Sequence, residues 1–280
     1  MPLLQVVILA LVQAATEFLP VSSTAHLVLV PWALGWKDPG LFFDIALHFG
    51  TLIAVLVYFA RSWIRLIFSG LGKQVFRPRP DHPDAALYGN PRLFWFLVAA
   101  TFPAGIAGMA LEDHVETTLR SPVVIGVMLI VVGFLIWWAE RRGRLDNDLD
   151  RMSLRQAMLI GCAQAVALIP GTSRSGITIA TGLFLGFKRP AAARFSFLLS
   201  APIIAGASVK AVLDVLGDGI PTDMQVPFLV GILVSAVGGH AVIALFLRYL
   251  QHSTMRVFVY YRLIFGIIVL ALALFFRFPV

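Results

Sequence analysis

Apolar runs of helix length recur six times along this chain, at residues 45–60, 93–111, 123–139, 195–209, 226–247 and 257–276. Each approaches or reaches the roughly 20 residues a helix needs to cross about 30 Å of hydrocarbon. Only 13% of the 280 residues are charged and 59% are hydrophobic, whereas a soluble domain carries about 25% charged residues. A soluble enzyme, a disordered chain and a disulfide scaffold are excluded, and a polytopic, all-α membrane protein is expected. The single cysteine, Cys162, lies in an apolar stretch and reads as a small buried hydrophobe, not as a catalytic thiol. The N-terminal stretch lacks the cationic n-region of a signal peptide and is expected to stay in the mature chain. With no Gly/Ser-rich or Pro-rich linker, residues 1–280 read as one integral membrane domain.

The net charge of +7 sits beside the apolar runs, which points to topology and not to nucleic acid. Arg61, Arg65, Lys73, Arg77, Arg79 and Arg92 flank one gap, and Arg141, Arg142, Arg144, Arg151 and Arg155 fill another. Lys188, Arg189 and Arg194 form a third basic gap, and Arg248 with Arg256 a fourth. The intervening gaps are acidic, with Glu112, Asp113 and Glu116 in one and Asp214, Asp218 and Asp223 in the other. The positive-inside rule then places the basic loops in the cytoplasm and both termini outside, in agreement with six complete spans.

Two further apolar segments, residues 1–36 and 154–187, do not fit as spans. The first is broken by Glu17-Phe-Leu-Pro-Val-Ser-Ser-Thr-Ala-His26, the second by Pro170-Gly-Thr-Ser-Arg-Ser-Gly-Ile-Thr178. Both are expected to be re-entrant helix hairpins, because irregular backbone at membrane depth is tolerated only where it lines a protein cavity. Gln13-Ala-Ala before Pro20 resembles Gln164-Ala-Val before Pro170, although the spacing differs by one residue. The charge pattern has one hairpin dipping from outside and the other from inside. That is an inverted-topology repeat, whose site is expected where the tips meet near the midplane.

The tips hold the chemistry. Gln13 and Glu17 stand four apart and share a helix face, and an ionisable group at membrane depth is functional by default. Ser22, Ser23 and Thr24 add hydroxyls and an N-cap, and His26 falls in the first turn that follows. The second tip brings Gly171, Thr172, Ser173, Arg174, Ser175 and Gly176, with Thr178 just beyond. A guanidinium beside the free N–H groups of a starting helix is a phosphate site. A nucleophile, a base and a fixed cation suit phosphoryl transfer. No P-loop or His-Glu-x-x-His pattern occurs, but Glu17 with substrate phosphates suits a hard cation such as Mg²⁺. Asp44 and His48, four apart, either line the same cavity or bond to one another; His240 after Gly238-Gly239 reads as packing. Arg262, near the cytoplasmic end of the last run, reads as structural.

These strings, with Phe43-Asp-Ile-Ala-Leu-His-Phe-Gly-Thr51, Pro103-Ala-Gly, Leu111-Glu-Asp and Ala191-Ala-Ala-Arg-Phe-Ser-Phe-Leu-Leu-Ser200, resemble the undecaprenyl-diphosphate phosphatase family of the bacitracin-resistance type. The resemblance covers essentially the whole chain. It implies a multi-pass enzyme of the bacterial inner membrane that removes the terminal phosphate of undecaprenyl diphosphate at a site open to the periplasm. The regenerated carrier serves peptidoglycan synthesis, and abundance of the enzyme confers bacitracin resistance. It also implies a divalent cation, Mg²⁺ or Ca²⁺, held at Glu17 with Gln13. The partners are a polyprenyl diphosphate lipid and the bilayer, without nucleic acid, and a homodimer is a compatible assembly. The family's catalytic roles fall on Glu17, Ser23, His26 and Arg174, with Gln13, Ser22, Ser173 and Thr178 in support. The chain departs from the family where many members carry Glu at the Gln13 position and Gly at the Ala25 position.

Three mechanisms remain open at this point: attack by Ser23 with Glu17 or His26 as base, attack by His26, and direct activation of water. A secondary transporter or flippase is the rival class, since broken helices and inverted repeats also serve transport.

Overall fold

The apolar runs become helices and the polar breaks become turns between them. The computed structural model describes residues 1–37, 39–73, 85–114, 119, 121–218 and 222–275. Among these, α1 (Leu3–Phe18) and α2 (Ser23–Ala33) form the first hairpin, followed by α3 (Leu41–Tyr58), α4 (Ala60–Gly70) and the short α5 (Ala85–Gly89). Next come α6 (Leu93–His114), α7 (Pro122–Arg142) and the second hairpin, α8 (Leu154–Val166) with α9 (Arg174–Phe184). The chain closes with α10 (Arg189–Asp218), α11 (Thr222–His252) and α12 (Arg256–Phe275). No strand occurs among the described residues, only an isolated bridge between Asn147 and Phe187. Arg77, Arg79 and Glu116 lie outside the described residues.

Among the described residues five helices, α6, α7, α10, α11 and α12, are each long and apolar enough to cross a membrane. The first run falls on α3 and the start of α4, which pass as one span only together: α3 ends at Tyr58 and the chain bends by 68° into α4. The second helix is amphipathic. On α4, Arg61 and the apolar Ile64, Ile67 and Phe68 are all exposed while Ser62 and Leu66 are buried, the pattern of a helix lying along an interface. Trp95 fixes its far end by donating to the Gly70 carbonyl at 2.9 Å. At about 1.5 Å per residue, α1, α2, α8 and α9 are each shorter than the ~30 Å hydrocarbon layer, so neither hairpin arm spans it alone. A correction concerns Cys162, which is exposed on the outer face of α8. Its neighbours Gly161 and Gln164 take the buried face instead.

Small residues decide which helices touch. Helix α11 packs against α1 and α3, and α12 against α7. Gly238 and Gly239 on α11 admit Ala14, Ala54 and Phe18, while His240 meets the edge of the Tyr58 ring, a packing role. A Cβ at Gly50 would approach the Ile232 carbonyl to 2.5 Å and Ser235 Cβ to 2.7 Å. Gly50→Ala is therefore expected to push α3 off α11 and destabilise the protein by about 1–3 kcal/mol. A thermal melt in detergent checks this, with Gly105→Ala, whose Cβ would meet nothing within 4 Å, as the neutral comparison.

The two hairpins share local backbone geometry as well as sequence. Ser22, before α2, has φ 76° and ψ 99°; Ser173, before α9, has φ 66° and ψ 113°. Each following helix ends at a leucine and then a glycine of positive φ, Leu34-Gly35 and Leu185-Gly186. Gln13 and Gln164, Ser22 and Ser173, Leu34 and Leu185, and Lys37 and Lys188 keep one constant offset. The one-residue mismatch of the prolines thus disappears when the serines, not the prolines, are aligned. Packing follows the same correspondence, with α1 against α11 and α8 against α6.

Candidate active site

Both hairpin tips converge on one cavity of about 330 Å³, walled by Glu17, Ser23, His48, Ser173 and Arg174 on its polar side and by Ile45, Ile169, Ile203 and Ile204 on its apolar side. Glu17 ends α1 and is 7% exposed. Its Oε1 pairs with the Arg174 guanidinium at the start of α9, which joins the two tips through opposite charges. Its Oε2 accepts from Ser23 Oγ at 2.7 Å and from the Gln13 amide at 3.1 Å. Arg174 engages Glu17 through Nη2, while Nη1 is buried without a partner. Arg174 lines the cavity, and a buried donor without a partner on such a residue is one that an incoming acceptor can satisfy.

The remaining sequence-derived residues divide between wall and support. Ser22, Thr24 and Gly171 line the cavity with Ser23 and Ser173. Gly171 has φ +89°, and a side chain there would strike the backbone of Ile125 on α7. Ser173 Oγ caps α9 by accepting from the Gly176 N–H at 3.1 Å. Ser175 stitches the tips together, donating to the Leu19 carbonyl at 3.0 Å. Thr172 is fully buried, and Thr178 bonds to the Arg174 carbonyl and to Ser196, both at 2.7 Å. Gln13 is fully buried behind Glu17. His26 also stands off the wall. Its Nδ1–H donates to the Ser22 carbonyl at 2.7 Å, its Nε2 accepts from the Tyr261 hydroxyl at 2.5 Å, and its ring stacks on Tyr261 and Phe265.

The imidazole that faces the cavity is His48. It donates from Nδ1 to the Asp44 carbonyl at 2.7 Å, which turns Nε2 towards Glu17 Oε2, 3.5 Å away. Among the described residues no three His, Cys, Asp or Glu side chains gather as a metal site. The oxygen donors on the cavity wall, the carboxylates of Glu17 and Asp44 with the tip hydroxyls, are of the kind a hard cation takes together with phosphate oxygens and water.

The family model for bacitracin resistance protein BacA matches residues 6–268, a stretch that takes in both hairpins. The chain belongs to this family. The undecaprenyl-diphosphatase of Moorella thermoacetica is 44% identical over 272 residues, covering 97% of this chain and 98% of that relative. Those of Desulforudis audaxviator and Trichlorobacter lovleyi are each 46% identical, over 268 and 273 residues, and cover 96% and 97% of this chain and 97% of each relative.

Three features of this BacA-family site were not assigned from the sequence. His48 carried a signal, its four-residue spacing from Asp44, but that spacing fitted a purely internal bond equally well. Tyr261 and Arg262 carried none, because nothing in a terminal apolar run announces contact with two distant tips. Arg262, in the second turn of α12, lies fully buried and bonds to both tips.

Proposed function

We propose that this chain hydrolyses undecaprenyl diphosphate to undecaprenyl phosphate and inorganic phosphate. The observation that carries the reading is the Glu17–Arg174 pair, which joins the two tips within one cavity and leaves Arg174 Nη1 free for a phosphate oxygen. The cavity lies at the lower end of the ~300–1,000 Å³ typical of small-ligand sites. It holds a headgroup, and the prenyl chain trails past the isoleucine side towards lipid.

Ser23 Oγ attacks the terminal phosphorus while Glu17 Oε2, already its acceptor at 2.7 Å, takes the proton. The bond to the bridging oxygen breaks and undecaprenyl phosphate leaves. Water then attacks the phosphoserine, the serine oxygen regains a proton, and phosphate departs. Arg174 and the N–H groups that open α2 and α9 stabilise the charge on the transferring oxygens. The engagement of both His26 nitrogens elsewhere favours Glu17 over His26 as base. Glu17, with His48 beside it, would hold the divalent cation, Mg²⁺ or Ca²⁺, which would supply charge neutralisation to the diphosphate.

The same reading makes the chain a bacterial inner-membrane enzyme with periplasmic termini and a periplasmic opening, and relates its halves by an inverted repeat. The shared tip geometry and the matching helix pairings support that relation. The product is the carrier lipid of peptidoglycan synthesis, and its regeneration underlies bacitracin resistance. Exposed apolar faces meet the bilayer, with room for a homodimer and no role for nucleic acid.

Purified protein in detergent is expected to release phosphate from polyprenyl diphosphates, to stop in EDTA and to recover on Mg²⁺ addition. Absence of release under all conditions overturns the reading in favour of transport. Undiminished release in EDTA removes the cation alone.

A further inference from the structure

The two tips are not held together by their own contacts alone. Arg262, on α12 and outside both hairpins, is fully buried and spends its guanidinium on backbone carbonyls from three directions. Nε donates to Leu129 O and Nη2 to Met128 O on α7, each at 3.1 Å. Nη1 donates to Pro20 O on the first tip at 3.1 Å, and Nη2 also reaches Gly171 O and Thr172 O on the second at 3.0 and 3.1 Å. Tip carbonyls at this depth have neither a helix ladder nor bulk water, and an unsatisfied one is costly. A planar fork of five donors can meet all of these carbonyls at once, which the three donors of a lysine ammonium cannot.

The grip also sets direction. A trans peptide is planar, so a carbonyl held on one side turns the next N–H to the other. Holding Thr172 O turns the Ser173 N–H away from Arg262, and that N–H takes no acceptor among the described residues. Ser22 and Ser173 adopt positive φ, a conformation that costs non-glycine residues free energy and persists only where the surroundings impose it. Both lie within two residues of a carbonyl that Arg262 holds.

We propose that Arg262 is a positioning residue for phosphoryl transfer: its guanidinium fixes the two tips in one register, so that Glu17 and Ser23 of the first face Arg174 and the Ser173 N–H of the second. The proposal rests on the reading that the diphosphate binds between the tips. Gly133 on α7 makes the arrangement sterically exact, since a Cβ there would come within 3.3 Å of Arg262 Cβ.

Arg262→Lys is the direct test, using phosphate release from a polyprenyl diphosphate and amide exchange by mass spectrometry on the purified full chain. The expected result is a kcat lowered about 100-fold with KM within about threefold of wild type. Exchange should rise at residues 20–23 and 171–174 together and stay unchanged in α3 and α11. A purely structural arginine would instead lower the yield or melting temperature and leave kcat per folded molecule intact. Turnover within threefold of wild type, or faster exchange confined to α7 and α12, overturns the proposal. Should Arg262→Lys not purify folded, Gly133→Ala decides: it keeps the guanidinium but displaces it, and a fall in kcat of several-fold is expected. Wild-type turnover in folded Gly133→Ala then overturns the proposal. Arg174→Ala run in parallel separates the two ideas, because activity in that variant means that the two-tip site itself is wrong.

Discussion

Arg174→Ala is expected to abolish measurable phosphate release, lowering kcat/KM by a factor on the order of 10³ or more. The substitution removes the cation that joins the hairpins and the buried Nη1 donor available to a phosphate oxygen. It also strands Glu17. A carboxylate 7% exposed that loses its counter-ion becomes an uncompensated buried charge, a situation that costs about 3–5 kcal/mol. Activity and stability should therefore fall together in the alanine variant. Arg174→Lys separates them, since it keeps the charge near Glu17 and loses the fork that grips carboxylate and phosphate at once. Its melting temperature should stay near wild type while kcat/KM drops about 100-fold. Steady-state phosphate release beside thermal melts of both variants checks the pair. Turnover of the alanine variant within tenfold of wild type would show that the substrate does not bind between the tips.

Hydropathy and charge made the helices and the two broken hairpins readable, because both are local properties. The bend at Phe59 was partly readable too, since Arg61 and Arg65 follow the apolar run, but a run that long resembles a complete span. Which of the two histidines lines the cavity was not readable from the sequence, for a geometric reason. His26 is next to the tip in sequence, yet it sits in the first turn of α2 and its ring turns towards α12. His48 is remote in sequence, yet α3 carries it to within 3.5 Å of Glu17. Proximity along a chain does not fix the face of a helix.

The likeness of the two hairpins illustrates the same limit. Aligned on their prolines, the two tips are out of step. Aligned on Ser22 and Ser173, which share a rare backbone conformation, Gln13 matches Gln164 and both hairpins end alike. In that register Glu17 stands opposite Leu168 and Ser23 opposite Arg174. The two hairpins share this local geometry and differ in chemistry, with the carboxylate and hydroxyl on one and the guanidinium on the other. Gln164 has lost the partner that Gln13 finds in Glu17, and both its amide atoms are buried without hydrogen bonds.

Ser23→Ala should lose turnover as completely as Arg174→Ala, by a factor on the order of 10³ or more, but without the loss of stability. The hydroxyl contributes one hydrogen bond to Glu17, worth about 1 kcal/mol. Glu17 keeps both Arg174 and Gln13 when that bond is gone. KM should hardly move, because the groups that grip the phosphates remain. Rapid acid quench of wild-type enzyme with substrate labelled in its terminal phosphate is expected to trap label on the peptide containing Ser23, and the alanine variant should trap none. Acid-labile label on His26 would instead make that imidazole the nucleophile, which requires it to leave Tyr261 and Ser22. Near-normal turnover in Ser23→Ala with no trapped label would assign the attack to water, with Glu17 left as the base that activates it.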